Sequence, residues 1–201
     1  HLTHNGIPTG AVWGFLGSVF RIMEKFNTPN VVFCFEGDGI PVRKGVDPLY
    51  KANRMYKNLT QIEADANRNL RKQIKSIRDD YLPSLGFKNI FHQEGYEADD
   101  VIASLCHNGS NRTMVIVASD KDLYQLLDHN VDCYNPQTNQ VMSDHDFHDQ
   151  YKITINKWVD VKAIAGCSSD NVIGIRGVGE LTALRYLRGE SSLVGGRYVG
   201  S

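Results

Sequence analysis

The chain has 201 residues, of which 41% are hydrophobic and 22% charged, as is typical of a soluble globular protein with one fairly large domain. Its formal net charge of −1 excludes a globally basic protein, so a polyanion would have to bind to local patches. The four cysteines lie far apart and form no CxxC pair, which argues against a zinc ribbon. Nothing in the sequence suggests a disulfide framework, which favours a reducing cytoplasm. No stretch has the roughly 18 apolar residues of a membrane span, so we expect no membrane contact.

The N-terminal half begins with a helix pattern and a strand pattern. Between Val12 and Met23 apolar residues recur at helical spacing and predict a helix. The next apolar run, "NVVFCFEG", has the length of a buried strand and ends at Glu36. Residues 38–58 lose this periodicity and gain charge, glycine and proline. A long helix is then predicted over about residues 60–85.

Strands and helices alternate in the rest of the chain. "KNIFHQEG" and "TMVIVASD" are predicted strands, each followed by a helix, and "VDCYNPQTNQVM" predicts a hairpin that turns at Asn135-Pro136. Two further helices, "INKWVDVKAIAG" and "ELTALRYLRGE", flank a glycine-rich turn. This order predicts an α/β fold whose mainly parallel sheet is flanked by helices on both faces.

Acidic residues follow the predicted strands, at the edge where α/β sheets bind ligands. They are Glu36, Glu97, Asp99, Asp100, Asp120 and Asp122, and a further acid, Asp170, opens the glycine-rich turn. Taken singly, each acid is explained by the preference for carboxylates at helix N-termini. Taken together, crowded carboxylates would raise one another's pKa values unless a cation neutralised them. Hard oxygen ligands select Mg²⁺ or Mn²⁺, and two such ions suit phosphodiester cleavage, one activating a water and the other steadying the leaving oxygen.

The stretch "GIRGVGELTA" predicts a phosphate-binding turn. Its glycines allow close approach of a partner, and the helix that follows offers free N–H groups at its N-terminus. With a helix on each side, the turn is typical of a helix-hairpin-helix that binds the DNA backbone without reading sequence. The candidate contacts are Gly174, Arg176, Gly177, Gly179 and Thr182. The alternative is a plain connection between two helices.

A basic segment lies between the first strand and the long helix. It carries Arg43, Lys51 and Arg54, with Tyr50 among them. Cations mixed with aromatic rings suit single-stranded nucleic acid, through phosphate neutralisation and base stacking. A lysine or arginine at the scissile phosphate would also stabilise developing charge. The alternative is a solvated loop.

Three motifs, in order, resemble those of the 5′-nuclease family. They are "GYEADDVIASL", "ASDKDLYQLL" and "GCSSDNVIGIRGVGELTA". The segments "PTGAVWGFL" and "FEGDGIPVRKGVDPLYKANR" also match, so the resemblance covers nearly the whole chain. The family includes the 5′→3′ exonuclease domain of bacterial DNA polymerase I, phage 5′ exonucleases and flap endonucleases.

The resemblance implies an architecture and an activity. It implies a PIN-like catalytic domain over residues 1–154, with a helical arch at about 38–80, and a helix-hairpin-helix region over residues 155–201. It also implies a divalent-metal-dependent 5′→3′ exonuclease or flap endonuclease of replication and repair. Such an enzyme would act, as a monomer in a bacterial or phage-infected cell, on DNA with a 5′ end or flap, or on an RNA primer.

Individual roles follow from the matched motifs. The seven acids named above match the family's metal ligands for two ions. Lys51 and Arg54, in "YKANR", match the basic residues of the family's helical arch that contact the scissile phosphate. The turn at residues 174–179 resembles the family's duplex-binding loop, which can hold a K⁺ ion through backbone carbonyls.

The sequence departs from the family pattern at two places. The family's first metal acid lies on a strand upstream of "PTGA", and this sequence starts too late to contain that strand. We therefore expect either a truncated sequence or an impaired homologue that binds branched DNA without cutting it. Cys167 stands where polymerase I-like members carry Asp, and a thiol is a poor Mg²⁺ ligand. We therefore expect a weakened second metal site. A PIN-type ribonuclease would fit the acids but not the hairpin motif.

Overall fold

The computed structural model describes residues 2–39, 41–54, 60–109, 112–194 and 197–200. The chain divides into two compact units, one formed by His1–Gly39 with Lys57–Ala98 and the other by Ile40–Tyr56 with Asp99–Ser201. Among the described residues, no helix is both long and apolar enough to cross a bilayer.

Helices and strands are interspersed along the chain. The α-helices are α1 (Gly10–Lys25), α2 (Arg43–Val46), α3 (Gln61–Ser76), α4 (Leu82–Ser84), α5 (Ala98–Asn108), α6 (Asp144–Tyr151), α7 (Trp158–Ala165) and α8 (Glu180–Leu187). The strands are β1 (Thr3–His4), β2 (Ile7–Pro8), β3 (Phe33–Cys34), β4 (Ile90–Phe91), β5 (Met114–Val117), β6 (Val131–Asn135), β7 (Gln140–Met142), β8 (Ser191–Val194) and β9 (Arg197–Gly200). Short 3-10 helices span Ala52–Arg54, Lys121–Leu126, Ile155–Lys157 and Ser168–Asp170.

The first unit packs α1 against a parallel pair of strands. Phe33 of β3 pairs with Ile90 of β4, and its ring lies 6.0 Å from that of Phe15 on α1. Val19 and Phe33 are buried in one cluster with Ile77 and Leu82. The predicted N-terminal helix and the first two strands are therefore confirmed, although the strands are only two residues long.

The long helix predicted near residues 60–85 is also confirmed. Thr60 and Glu63 form a capping box at the N-terminus of α3, and a π turn over Ile77–Tyr81 leads into α4. The apolar stripe of this helix is buried only near its C-terminal end, since Ile77 is 2% exposed but Ile62 is 82% exposed. The N-terminal half instead borders an open cavity of about 520 Å³ beside the start of α1.

The second unit contains a three-stranded sheet. β5 and β6 are parallel, with Ile116 opposite Cys133, and β6 and β7 are antiparallel, with Asn135 opposite Gln140. The hairpin predicted at Asn135-Pro136 is thus confirmed. The helix predicted after β5 is present as the 3-10 helix Lys121–Leu126.

One hydrophobic core runs through this unit. Trp158 and Phe147 are fully buried, with ring centroids 5.4 Å apart, and Val178 and Leu184 of the C-terminal region belong to the same cluster. Burial also raises the pKa of the Cys133 thiol to about 12, so that thiol is neutral at physiological pH. The C-terminal region therefore shares its core with residues before position 154, and the boundary predicted there stays a prediction.

Candidate active site

Asp120 and Asp122 lie directly after β5. The Oδ1 of Asp120 accepts a hydrogen bond from the Asp122 N–H at 2.8 Å, so Asp120 caps the 3-10 helix Lys121–Leu126. The carboxylate of Asp122 lies 2.9 Å from the Nζ of Lys162 on α7. Burial opposes the charge on Lys162, but the bond to Asp122 and the nearby carboxylate of Glu180 raise the pKa of Lys162 overall. The ammonium therefore stays charged and neutralises Asp122.

Asp99 and Asp100 lie in the first turn of α5. There the carboxylate of Asp100 is 2.6 Å from the Nη2 of Arg43, at the start of α2. Both side chains are partly exposed, at 42% for Arg43 and 31% for Asp100. The predicted DNA-binding residue Arg43 is thus paired with a predicted metal ligand.

Asp170 lies in a tight loop between α7 and the glycine-rich turn. Cys167 and Val172 exchange two backbone hydrogen bonds, each of 2.9 Å, and close this loop. The Sγ of Cys167 lies 3.1 Å from the Oγ of Ser169. Asn171 adopts a left-handed conformation with φ of 59°. The loop therefore holds Cys167 and Asp170 on one short, closed segment.

The basic segment packs against this loop. The N–H of Lys51 donates to the carbonyl oxygen of Asp170 at 2.8 Å. Tyr50 is only 9% exposed, and its ring lies 5.0 Å from the Nζ of Lys51 and 5.8 Å from the Cζ of Arg43. Base stacking by Tyr50 would require this covered ring to move, and it stays a prediction. The side chain of Arg54 lies outside the described part of the chain.

The glycines of the turn have different surroundings. A Cβ at Gly174 would overlap the backbone of Ala165 and Gly166, so Gly174 has a packing role that the sequence did not predict. Gly177 has a φ of +80°, and a Cβ on Gly177 or Gly179 would meet no described atom within 4 Å. These two positions therefore leave the backbone accessible, as a phosphate-binding turn requires. Arg176 is exposed nearby and Thr182 is partly exposed on α8.

Glu36 and Glu97 belong to the first unit. The Gly37 N–H donates to the carbonyl oxygen of Tyr96 at 2.9 Å, which places the backbone after Glu36 beside the backbone before Glu97. A Cβ at Gly37 would overlap the Gln93 carbonyl, so glycine is needed for this approach. The backbone segments next to Glu36 and Glu97 are thus adjacent in the structure. That these two glutamates form one site with the five aspartates stays a prediction.

The donor chemistry of these acids fits a hard divalent cation. In the described ranges, however, no group of three or more His, Cys, Asp or Glu side chains is arranged to hold a metal ion. Two of the carboxylates are instead neutralised by protein cations, Asp100 by Arg43 and Asp122 by Lys162. A divalent ion would therefore compete with Arg43 and Lys162 for these carboxylates. These pairings were not visible in the sequence because their members lie far apart along the chain.

Comparisons with known proteins agree with the motifs. Residues 1–152 match the family described as 5′-3′ exonuclease, N-terminal resolvase-like domain. DNA polymerase I of Caldicellulosiruptor bescii is 34% identical over 199 residues, covering 95% of this chain and 22% of the relative. The 5′-3′ exonuclease of Bacillus subtilis is 31% identical over 192 residues, covering 93% of this chain and 61% of the relative. The chain thus spans less than two thirds of either relative.

A solved structure supports the predicted fold. The flap endonuclease of bacteriophage T5, in a pseudo-enzyme-product complex with DNA and metal ions, superposes with a TM-score of 0.78 at 21% identity. The match covers 92% of this chain and 69% of the phage protein. The predicted PIN-like α/β fold is therefore confirmed. Because the family model matches residues 1–152, which is more than half of the chain, the chain belongs to the 5′-3′ exonuclease family.

Proposed function

We propose that this protein is a divalent-metal-dependent nuclease that hydrolyses phosphodiester bonds near 5′ ends or flaps of DNA. The observation that carries the proposal is the contact between the basic segment and the Asp170 loop, made by the Lys51 N–H at 2.8 Å. A segment rich in cations next to a candidate metal ligand supports the proposal, because cations stabilise the charge that develops on a phosphate during cleavage. The names of the relatives, and the DNA and metal ions in the phage complex, support the same activity.

The chain's own residues supply binding, orientation and charge. We assign the metal-holding role to Asp99, Asp100, Asp120, Asp122 and Asp170, together with Glu36 and Glu97. Two Mg²⁺ or Mn²⁺ ions, when bound, would supply an activated water and stabilisation of the leaving oxygen. Lys51 and Arg54 would contact the scissile phosphate and stabilise the charge that develops on it.

The hairpin would hold the duplex away from the cut. The backbone at Gly177 and Gly179 and the N-terminus of α8 offer N–H groups to phosphates, and Arg176 and Thr182 add side-chain contacts. Such contacts fix the position of a duplex and carry no sequence preference. A K⁺ ion bound by carbonyls of this turn is part of the proposal, as are an RNA primer as substrate, action as a monomer and a cytoplasmic location.

Cleavage of a labelled 5′-flap duplex tests the function directly. We expect cutting with Mg²⁺ or Mn²⁺ and none with EDTA. Asp120→Ala should lower the cleavage rate by at least about 100-fold. Loss of a residue that only orients a metal ligand already lowers metal affinity or activity by about 10- to 100-fold. Asp120→Asn keeps a side-chain oxygen that can accept the hydrogen bond from the Asp122 N–H, and it should lose as much activity as Asp120→Ala. An equal loss would show that the missing charge, rather than a folding defect, lowers the rate.

The controls use residues outside the site. Asp149→Asn changes an exposed carboxylate of α6 that pairs with Lys152 at 3.4 Å and should cut normally. Flap binding, measured by fluorescence anisotropy, should stay within about threefold in both Asp120 variants. A parent chain that binds the flap but cuts in neither metal would contradict the nuclease and favour a non-catalytic DNA-binding homologue.

A further inference from the structure

Two asparagine side chains join the basic segment to the Asp170 loop. The Nδ2 of Asn53 donates to the Ser168 carbonyl oxygen at 2.7 Å, across 115 residues of sequence. The Nδ2 of Asn171 donates in the opposite direction, to the Leu49 carbonyl oxygen at 2.9 Å, across 122 residues. We call Asn53 and Asn171 the asparagine clamp. Because each loop supplies one donor and one acceptor, the two bonds fix the register of the loops.

The clamp encloses the backbone of Lys51. The Lys51 N–H donates to the Asp170 carbonyl oxygen at 2.8 Å, between the two asparagine bonds. Lys51 has a φ of 54° and Asn171 a φ of 59°, in the left-handed region that residues other than glycine seldom adopt. A lysine keeps such a conformation only when its surroundings hold it there. The three bonds to the Asp170 loop provide that restraint.

The other end of the basic segment is attached as well. Arg43 pairs with Asp100 at 2.6 Å, and the intervening Tyr50 is buried. Both attachments lead to elements that carry predicted metal ligands, Asp100 on α5 and Asp170 on its loop. The basic segment between them is therefore placed by the same elements that would place the metal ions.

We propose that Asn53 and Asn171 are positioning residues, which hold Lys51 at a fixed place relative to Asp170 so that its ammonium meets the scissile phosphate. The inference rests on the proposed nuclease function and extends it to two residues that touch no reacting atom. A cationic side chain and a metal ion that act on one phosphate must be aligned within about an ångström, since larger displacements cost up to about 100-fold in rate. The clamp supplies this alignment through the backbone.

Limited proteolysis tests the docking independently of nuclease activity. Asn53→Asp and Asn171→Asp keep the side-chain shape but replace the donating amide with an oxygen that faces a carbonyl. Asp also tolerates the left-handed conformation needed at position 171. Trypsin cleavage after Lys51, followed by mass spectrometry, should accelerate about fivefold in each variant, as expected for one lost hydrogen bond. Asn53→Ala should give the same rise, which separates the lost bond from the added charge.

The matched control is Asn108→Asp. Asn108 also donates from Nδ2 to a carbonyl oxygen, that of Ser104, at 2.7 Å, but it lies at the C-terminal end of α5. Its substitution should leave the trypsin rate after Lys51 unchanged. Equal rates at Lys51 in the parent and in all clamp variants would overturn the docking.

Steady-state cleavage of the 5′-flap duplex tests the positioning. The clamp variants should lower kcat by about 10- to 100-fold while the Kd for the flap stays within about twofold. The double variant should be no worse than the more impaired single variant, since both residues act on one loop. A loss confined to Kd, or an unchanged kcat with faster proteolysis, would overturn the positioning role. If the parent chain did not cut at all, the proposed function would fail, and the docking would be decided by the trypsin rates.

Discussion

Cys167 is the residue whose chemistry fits a magnesium site least. Its Sγ is within 3.1 Å of the Ser169 hydroxyl, and its backbone is fixed by two hydrogen bonds to Val172. A thiol is a weak ligand for hard cations, whereas a carboxylate is a strong one. The loop can therefore keep its shape while the charge at position 167 is changed, which makes the residue a clean test of the second metal site.

Cys167→Asp should lower the Mg²⁺ concentration needed for half-maximal flap cleavage, by about tenfold for one added charged ligand. The reason is that a second carboxylate would join Asp170 on the same closed loop. The measurement is a Mg²⁺ titration of the cleavage rate. Cys167→Asn, which is similar in size but uncharged, is the control and should shift the midpoint much less. Identical titrations for Cys167→Asp and the parent would mean that position 167 does not face the metal.

At the scale of elements, the close approach of Gly166 and Gly174 determines where the hairpin turn begins. Gly166 ends α7 with a φ of +72°, and a Cβ on either glycine would overlap the backbone around the other. Backbone atoms cannot rotate out of the way as a flexible side chain can. The turn is thus joined to the end of α7 at a point with no room for another side chain.

Gly174→Ala should reduce the free energy of unfolding by about 2–3 kcal/mol, because the added methyl forces the two backbone segments apart. Gly179→Ala is the matched control, since its φ of −96° suits alanine and a Cβ there would meet no described atom within 4 Å. It should change stability by no more than about 0.5 kcal/mol. Urea denaturation followed by circular dichroism gives both values. A Gly174→Ala protein as stable as the parent would contradict this packing.

Glu180 shows what the sequence could not reveal at this scale. It begins α8 and contacts Lys121 at 3.4 Å and Lys162 at 3.6 Å, while Lys162 also binds Asp122. The charge network therefore links α7, α8 and the segment after β5. The presence of an acid in the first turn of a helix, as at Glu180, reflects a local preference of carboxylates for helix N-termini. The two partners of Glu180 depend on tertiary packing and could not be predicted from local spacing.

For the whole molecule, the parts that follow from local patterns could be predicted and the parts that follow from long-range pairing could not. The β6–β7 hairpin and the order of strands and helices follow from periodicity and turn residues. The location of acids after β5 follows from the general rule for α/β sheets. The burial of Tyr50 and the pairing of Arg43 with Asp100 depend on how the basic segment folds back, and nothing in the segment itself encodes its partner.

The distribution of charge over the whole molecule predicts a moderate salt dependence of DNA binding. The formal net charge is −1, so attraction to DNA must come from a few local cations, of which Lys51, Arg54 and Arg176 are our candidates. Three phosphate contacts predict that affinity falls about 40-fold between 50 and 200 mM KCl, whereas six to ten contacts would give about 10³- to 10⁵-fold.

Fluorescence anisotropy with a 5′-flap duplex over a KCl series, in EDTA to prevent cutting, measures this slope. Arg176→Gln should reduce the slope of log affinity against log salt by about 0.9, the value for one lost phosphate contact. Lys152→Gln removes a cation that pairs with Asp149 at 3.4 Å and should leave the slope unchanged. Because both variants change the net charge equally, a slope that fell by the same amount in both would mean that the overall charge, rather than the hairpin, governs binding.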